Sequence, residues 1–423
     1  ASTALALLLA AGCGGNDQTA VAPAGAAGQG APPANEGAPP STNDPSTDTP
    51  DAPPGPLYVG ATRVFSPDSS QGYLFAVPSL GSDGVVDLRR SVEIQDAWVF
   101  GNPGPDFFTA TIFEPTIVSW HVTAEGNFVK GPTLSFANQG VAGTYTAAST
   151  PLYSADKSYF VDSGSLQVVV WTPREMVFLR TIELPEPPMP GFEPTAELTI
   201  RDGQVLVSMM WTSQDSGFTK NGDFVRLVAI DPVTDTVSDV TDDTRCASLS
   251  PAGVTSDGTA YFSPWDYHAA VRGVFGAGFG SASCGLRVIP SASALDQGYD
   301  IDLSALVGGR PAGGLQLLDD QEALLHVWHE ELVAATPETW SDQRFEPGYK
   351  WYRWRLGTNE ATELPDQEPS AEGSGWRRLD GKTISFANNA EYTETTLLEL
   401  DDSGHGQPGL SVPGWIVTML RAY

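Results

Sequence analysis

Apolar and polar residues alternate along most of the chain from residue 57 onward, as in the segments QVLVSMMW and TAYFSPW. A period of two is typical of a β-strand that buries one face. Helical spacing is not sustained over more than three turns in any convincing stretch. The sequence therefore predicts a body that is nearly all β.

Seven pairs of strands, each joined by a short polar turn, recur along this body; they lie at residues 73–88, 117–136, 166–184, 224–240, 285–303, 351–364 and 396–412. A second hairpin precedes each of the last five pairs, and its turn carries a polar dipeptide: Asp156-Lys157, Asp202-Gly203, Asp257-Gly258, Asp319-Asp320 or Asp380-Gly381. Asp-Gly suits a tight turn because the turn backbone needs positive φ.

Four antiparallel strands that repeat in this way describe the blade of a β-propeller, whose repeats bury their faces by stacking around an axis. We predict seven four-stranded blades over residues 57–423, with six or eight as the alternatives. The first unit is one strand short, and residues 415–423 form a spare apolar strand. We expect this C-terminal strand to complete blade 1 and so remove an exposed edge.

Composition agrees with a turn-rich β protein, since the chain has 44 glycines, 34 prolines and 41% hydrophobic residues. It contains 52 acidic and 22 basic residues, a net charge of −30. Phosphate contacts need clustered Lys and Arg, so this balance argues against a nucleic-acid partner.

Residues 1–12 are apolar and uncharged but too short to span a bilayer. They lead to Cys13 through small residues, a pattern similar to a bacterial lipobox with Ala10 at the usual leucine position. We expect residues 1–13 to be a partial signal peptide and lipobox, with Cys13 acylated as a membrane anchor. The alternative is an ordinary secretory signal in which Cys13 is incidental.

Residues 14–56 consist mainly of Gly, Ala, Pro, Ser and Thr, without basic or aromatic residues. Such a segment cannot bury enough surface to fold, so we expect a disordered tether that holds the body away from the membrane. Gly14, rather than the Asp that retains lipoproteins in the inner membrane, favours the outer membrane of a Gram-negative cell.

Cys246 and Cys284 are the only cysteines of the body, and in an exported chain they predict a disulfide. A zinc or thiol-redox role does not fit, because C-x-x-C is absent. Both cysteines fall on the face where the connections between the second and third strands of each blade emerge, so the bridge would fasten a long loop of blade 5.

Long connections on that face belong to blades 4 to 7, at residues 212–223, 264–283, 329–350 and 388–395. Their aromatic and cationic residues suit a small anionic ligand with aromatic rings. The predicted ligand contacts are Trp265, Tyr267, Arg272, Trp340, Arg344, Tyr349 and Lys350. The alternative is that the rings pack the loops onto the propeller while the cations pair with acids.

Other chemistry has weak support in the sequence. His326 and His329 have a metal-like spacing, but residues i and i+3 of a strand point to opposite faces. Zincin, nucleophile-elbow and P-loop motifs are absent, as is the C-x-x-C-H of covalent haem. The sequence predicts neither a catalytic residue, a protein-bound metal nor a cofactor.

The lipobox ending at Cys13, the tether and the seven hairpins together resemble bacterial surface lipoproteins with a propeller body that are encoded beside TonB-dependent siderophore receptors, including the myxobacterial siderophore-locus type. The resemblance implies capture of a ferric siderophore and its delivery to an outer-membrane receptor, with iron held by the siderophore. The leading hypothesis is thus a non-enzymatic binding lipoprotein. The alternatives are a cell-surface protein-interaction propeller and a glycan-acting lyase or hydrolase.

Overall fold

A computed structural model describes residues 55–423 except for 67–68, 82–83, 96, 112–113, 186–188, 202, 214–219, 345, 366, 373–374 and 390–391. The predictions for Cys13, for the signal segment and for all but the last two residues of the tether lie outside the described residues. Asp202 of the predicted blade 4 turn also lies outside them.

Blade 1 joins three strands from the start of the body with the last strand of the chain: β1 (Tyr58–Ser66), β2 (Ser69–Val77), β3 (Val92–Ile94) and β27 (Trp415–Arg421). β27 pairs antiparallel with β1, so the predicted closure is confirmed. The outer strand β3 lies later than predicted, because Val85 forms a parallel bridge to Ser411 of blade 7 instead of pairing within blade 1.

Blades 2 to 4 follow in chain order. Blade 2 contains β4 (Ala97–Phe100), β5 (Asp106–Thr111), β6 (Thr116–Val122) and β7 (Phe128–Ser135). Blade 3 contains β8 (Ser158–Asp162), β9 (Gln167–Thr172) and β10 (Val177–Glu183). Blade 4 contains β11 (Glu193–Arg201), β12 (Gln204–Thr212), β13 (Val225–Asp231) and β14 (Thr236–Asp243). Blade 3 has three regular strands, and a 3-10 helix at Tyr145–Ser149 precedes them. The preceding residue, Thr144, donates its hydroxyl to the carbonyl of Thr116 at 2.8 Å, which ties this segment to blade 2.

Blades 5 to 7 complete the ring. Blade 5 contains β15 (Ser250–Val254), β16 (Ala260–Ser263), β17 (Cys284–Val288) and β18 (Ile301–Asp302). Blade 6 contains β19 (Ala312–Leu317), β20 (Glu322–Trp328), β21 (Tyr349–Arg355) and β22 (Ala361–Glu363). Blade 7 contains β23 (Trp376–Leu379), β24 (Lys382–Asn388), β25 (Glu394–Leu400) and β26 (Gly406–Pro413).

The seven sheets form a seven-bladed β-propeller, as predicted. The innermost strands of adjacent blades contact one another, as β11 does β15, β15 does β19 and β23 does β27. In a β-propeller the innermost strands line a central channel. All six residues of β9 are buried, since a middle strand is covered by neighbouring blades on both faces, whereas the outer strand β14 alternates between exposed and partly buried residues over most of its length.

Among the described residues, two α-helices lie in long connections rather than in the blades: α1 (Asp266–Phe275) in blade 5 and α2 (Trp340–Gln343) in blade 6. In the described part of the chain, no helix is long and apolar enough to cross a membrane. Cys246 and Cys284 form the predicted disulfide, with Cα atoms 6.1 Å apart. The bridge links the segment before β15 to the start of β17, where the connection carrying α1 ends.

Candidate functional site

The connections between the second and third strands of blades 4 to 7 emerge on one side of the propeller, which we call the loop face; they span residues 213–224, 264–283, 329–348 and 389–393. The helix α1 lies over the next blade and contacts β19 and β20. This close packing requires glycine at position 313, where an added Cβ would lie 2.9 Å from the carbonyl oxygens of Pro264 and Trp265.

Three side chains from separate parts of the sequence form a continuous hydrogen-bonded chain on this face, which we call the Asp–His–Ser chain. A carboxylate oxygen of Asp266, the first residue of α1, contacts Nδ1 of His326 on β20. On the other side of the imidazole, Nε2 lies 2.8 Å from the hydroxyl oxygen of Ser370, in the connection between blades 6 and 7. The imidazole thus joins a carboxylate to a hydroxyl.

The imidazole of His326 is held firmly in place. Its ring stacks against Trp351 at a centroid distance of 4.2 Å and against Tyr349 at 4.4 Å, and the residue is only 1% exposed. Ser370 is positioned by backbone hydrogen bonds in both directions with Tyr349, of 3.0 and 2.9 Å. Ser370 is partly exposed, so the chain runs from an enclosed imidazole to a residue that is in part open to solvent.

Glu372 adds a second acid beside the Asp–His–Ser chain. Burial raises the pKa of its carboxyl to about 8, the charge of Asp266 acts in the same direction, and Arg344 opposes both. The Nε of Arg344 lies 4.0 Å from the carboxylate, whose side chain is 16% exposed. Burial thus favours the protonated carboxyl, and Oε2 has no hydrogen-bond partner among the described residues.

Arg344, Tyr267 and Trp340 connect the two helical loops. Arg344 donates a hydrogen bond of 3.2 Å to the hydroxyl of Tyr267, and its guanidinium lies 5.3 Å from the centre of that ring. Trp340 packs against Tyr267 and Trp328. These contacts form a hydrophobic cluster that fixes the loops of blades 5 and 6 to the propeller.

The structure brings together four of the seven predicted ligand contacts, Tyr267, Trp340, Arg344 and Tyr349. The three rings are 8%, 2% and 0% exposed, so they support the loops and present little surface to a ligand.

The other three predicted contacts lie apart from this cluster. Trp265 stacks on His268, Arg272 is exposed on α1, and Lys350 donates a hydrogen bond of 2.7 Å to Glu363. Contact of any of the seven residues with a ligand stays a prediction.

Arg377 lies on β23, the innermost strand of blade 7, and therefore in the wall of the central channel. Its side chain reaches solvent, yet burial lowers its pKa and is the only cause of that shift. Arg377 has no ion-pair or hydrogen-bond partner among the described residues, unlike Arg245, which binds Asp243 at 2.7 Å.

Sequence reasoning weighed His326 only as a metal ligand and did not single out Asp266, Ser370, Glu372 or Arg377. The partners of His326 lie 60 and 44 residues away in the sequence, in different blades, so no local motif could reveal them. Over the described ranges, no group of three or more His, Cys, Asp or Glu residues is arranged to hold a metal.

Comparison with known proteins supports the architecture. No protein-family model matches the chain, and no curated protein matches it in sequence. Among solved structures, the chain is similar to the periplasmic gluconolactonase of Pseudomonas aeruginosa, with a TM-score of 0.55 and 10% identity over 87% of this chain and 99% of that one. It is also similar to a candidate 6-phosphogluconolactonase of Bacteroides uniformis, with a TM-score of 0.52, 10% identity and the same coverage. At this identity the likeness concerns the fold alone.

Proposed function

We propose that this propeller binds a small anionic ligand in its central channel, reached from the loop face. The observation that carries the proposal is Arg377, an exposed guanidinium on the innermost strand of blade 7 that has no ion-pair or hydrogen-bond partner among the described residues. An unpaired cation on this inner strand attracts anions from solution. The chain has 52 acidic and 22 basic residues, so acids that could pair with Arg377 are plentiful. Because none of the described acids does so, we favour a ligand as its partner.

A ferric siderophore of the catecholate type is the ligand that we favour. It combines negative charge with aromatic rings, and a guanidinium such as that of Arg377 can pair with the charge and stack on the rings. The siderophore itself would hold the iron, so no protein metal ligand is required.

The proposal includes a place in the cell envelope. Acylation of Cys13 would anchor the chain to the outer membrane through the tether 14–56, and a TonB-dependent receptor would take over the ligand. Support for this part comes from the lipobox-like sequence and from the resemblance described above.

Tryptophan fluorescence of the full chain tests the proposal. Ferric and iron-free catecholate and hydroxamate siderophores are titrated into wild-type protein and Arg377→Gln, with correction for absorption by the ligand. We expect saturable quenching by the ferric catecholate and an affinity about 10 to 100 times weaker in the variant, because a hydrogen bond to a charged group is lost.

The matched control is Arg355→Gln, which removes an exposed arginine at the end of β21. This variant should bind like wild type. Equal affinity of wild type and Arg377→Gln would contradict the role of the channel, and absence of binding by every siderophore would contradict the ligand class.

A further inference from the structure

The geometry points to a catalytic site for hydrolysis of small carboxylic esters on the loop face, in which Ser370 is the nucleophile, His326 the general base and Asp266 the residue that orients His326. This activity goes beyond ligand binding in the channel. It rests on the Asp–His–Ser chain and does not involve Arg377.

The order of the three groups is the one that nucleophilic catalysis by serine requires. A serine hydroxyl is a weak nucleophile until a base within about 2.6 to 3.2 Å accepts its proton. Nε2 of His326 is placed for this at 2.8 Å from the Ser370 oxygen. In the tautomer protonated at Nδ1, His326 donates to Asp266 and Nε2 is left to accept from Ser370, and the carboxylate stabilises the imidazolium as it forms.

The surroundings favour a site over a purely structural tie. Stacking against Tyr349 and Trp351 prevents the imidazole from rotating away from Ser370. The chain runs from a carboxylate whose side chain is 12% exposed to a partly exposed serine, so we place the substrate at the serine end. A histidine that only held two segments together would not need an accessible hydroxyl as its partner.

The reaction balances without a cofactor. The Ser370 oxygen attacks the ester carbonyl carbon while its proton passes to Nε2 of His326. The tetrahedral intermediate then breaks its bond to the alcohol oxygen, which takes that proton and leaves as the free alcohol. A water molecule attacks the resulting acyl-serine, gives a proton to His326, and the carboxylic acid departs as Ser370 recovers its proton.

Glu372 supplies a further polar group at the same place. It follows Ser370 by two residues, and its charge influences Tyr349, the residue that pairs with Ser370. Its Oε2 is buried and has no hydrogen-bond partner among the described residues. Because Oε2 is enclosed, the carboxyl acts on the site through its electrostatic effects on Asp266 and Tyr349.

Covalent labelling of the full chain tests the assignment directly. A fluorophosphonate probe reacts with activated serines and spares ordinary ones, and mass spectrometry of the digested protein identifies the labelled residue. We expect the label on Ser370 in wild type and its loss in Ser370→Ala. His326→Gln should slow labelling at least 100-fold, because the base is removed. No label on Ser370 of folded protein would overturn the proposal.

The control variant is Ser304→Ala, which removes a serine hydroxyl that donates to the carboxylate of Asp302 at 2.6 Å and has no imidazole among its hydrogen-bond partners in the described residues. This variant should label like wild type. Hydrolysis of p-nitrophenyl acetate and butyrate provides the second readout, and rates equal in wild type and Ser370→Ala would also overturn the proposal. Circular dichroism melts verify that each variant is folded. If His326→Gln is destabilised, Asp266→Asn takes its place in the comparison.

The two proposals can fail separately. Loss of siderophore binding in Arg377→Gln with normal labelling of Ser370 would support both, since each variant would affect only its own site. Labelling of Ser370 without binding of any siderophore would refute the proposed ligand and leave the hydrolytic site in place.

Discussion

Tyr58 lies directly opposite Arg421 where the first strand of the ring pairs with the last, and both side chains bind Asp380 of blade 7. The tyrosine hydroxyl donates to the Asp380 carboxylate at 2.9 Å, and the Arg421 guanidinium forms an ion pair with it. One carboxylate thus holds both strands of the seam to the neighbouring blade.

Replacement of Asp380 should weaken this seam. Asp380 has a φ of 55°, a conformation that asparagine tolerates, so Asp380→Asn removes the charge without backbone strain. We expect the free energy of unfolding to fall by about 1 to 2 kcal/mol. Urea unfolding measures the change, and Asp402→Asn, on an exposed turn, is the control. An equal effect of both substitutions would rule out a specific role for the seam.

Removal of the disulfide should destabilise the propeller. Cys246 and Cys284 enclose the connection that carries α1, and the chain-entropy treatment of a loop of this size gives about 3 to 4 kcal/mol. Urea unfolding of Cys246→Ser/Cys284→Ser against wild type measures the loss. Addition of dithiothreitol should reproduce the effect in wild type and leave the double variant unchanged. A reductant effect of similar size in the double variant would contradict this account.

Glu372 should make stability depend on pH. Its pKa is about 8 in the folded protein and near 4.5 in the unfolded chain, so the folded state holds a proton that the unfolded state has lost between these values. The free energy of unfolding should therefore decrease as pH rises from about 5 to 8, by on the order of a few kcal/mol.

The matched variants are Glu372→Gln, which is uncharged at every pH, and Glu360→Gln on an exposed turn. Urea unfolding at pH 5, 7 and 9 should show Glu372→Gln gaining stability over wild type as pH rises, while Glu360→Gln follows wild type. Parallel curves for all three proteins would exclude a buried, protonated Glu372.

His268 should make the stability of the protein depend on pH in the acidic range. Burial lowers its pKa to about 3, so the folded protein resists a proton that the unfolded chain takes up below about 6.5. Stability should therefore fall as pH decreases from 6.5 toward 3. We expect His268→Gln to flatten this part of the curve, whereas His121→Gln, at a half-exposed site, should not. Thermal melts between pH 4 and 7 make the comparison.

Gly313 should be intolerant of a side chain because the start of α1 lies against it. A methyl group there would meet the backbone of Pro264 and Trp265 and displace the adjacent Asp266. We expect Gly313→Ala to lower the free energy of unfolding by about 1 to 3 kcal/mol and to slow fluorophosphonate labelling of Ser370. Gly84→Ala, where nothing lies within 4 Å of the added Cβ, is the control. Wild-type behaviour of Gly313→Ala would contradict the packing argument.

The blades could be predicted from sequence because each hairpin has a local signature, namely period-2 alternation and a polar turn. The pairing of the C-terminal strand with blade 1 could be predicted by counting strands, because the first unit lacked one strand and residues 415–423 formed an extra one. The error in β3 arose because Val85 pairs with Ser411, a partner that no local pattern reveals. The irregular segment before β8 escaped prediction for a similar reason, since Thr144 binds the backbone of blade 2.

The candidate site was harder to predict. Aromatic residues in the loops have the same composition whether they hold a ligand or pack a loop, and burial of Trp340 and Tyr349 is a property of tertiary structure. Asp266, His326 and Ser370 meet only because adjacent blades stack around the axis, so their spacing in the sequence carries no signature.

The pairing of β1 with β27 also determines how the molecule assembles. Blade 1 is built from opposite ends of the propeller sequence. We therefore expect its first three strands to lack their innermost partner until the other six blades have formed. Contacts between residues so distant in sequence form slowly, because the intervening chain loses conformational freedom before the contact stabilises it. Closure of this seam is thus the step that we expect to limit the rate of folding.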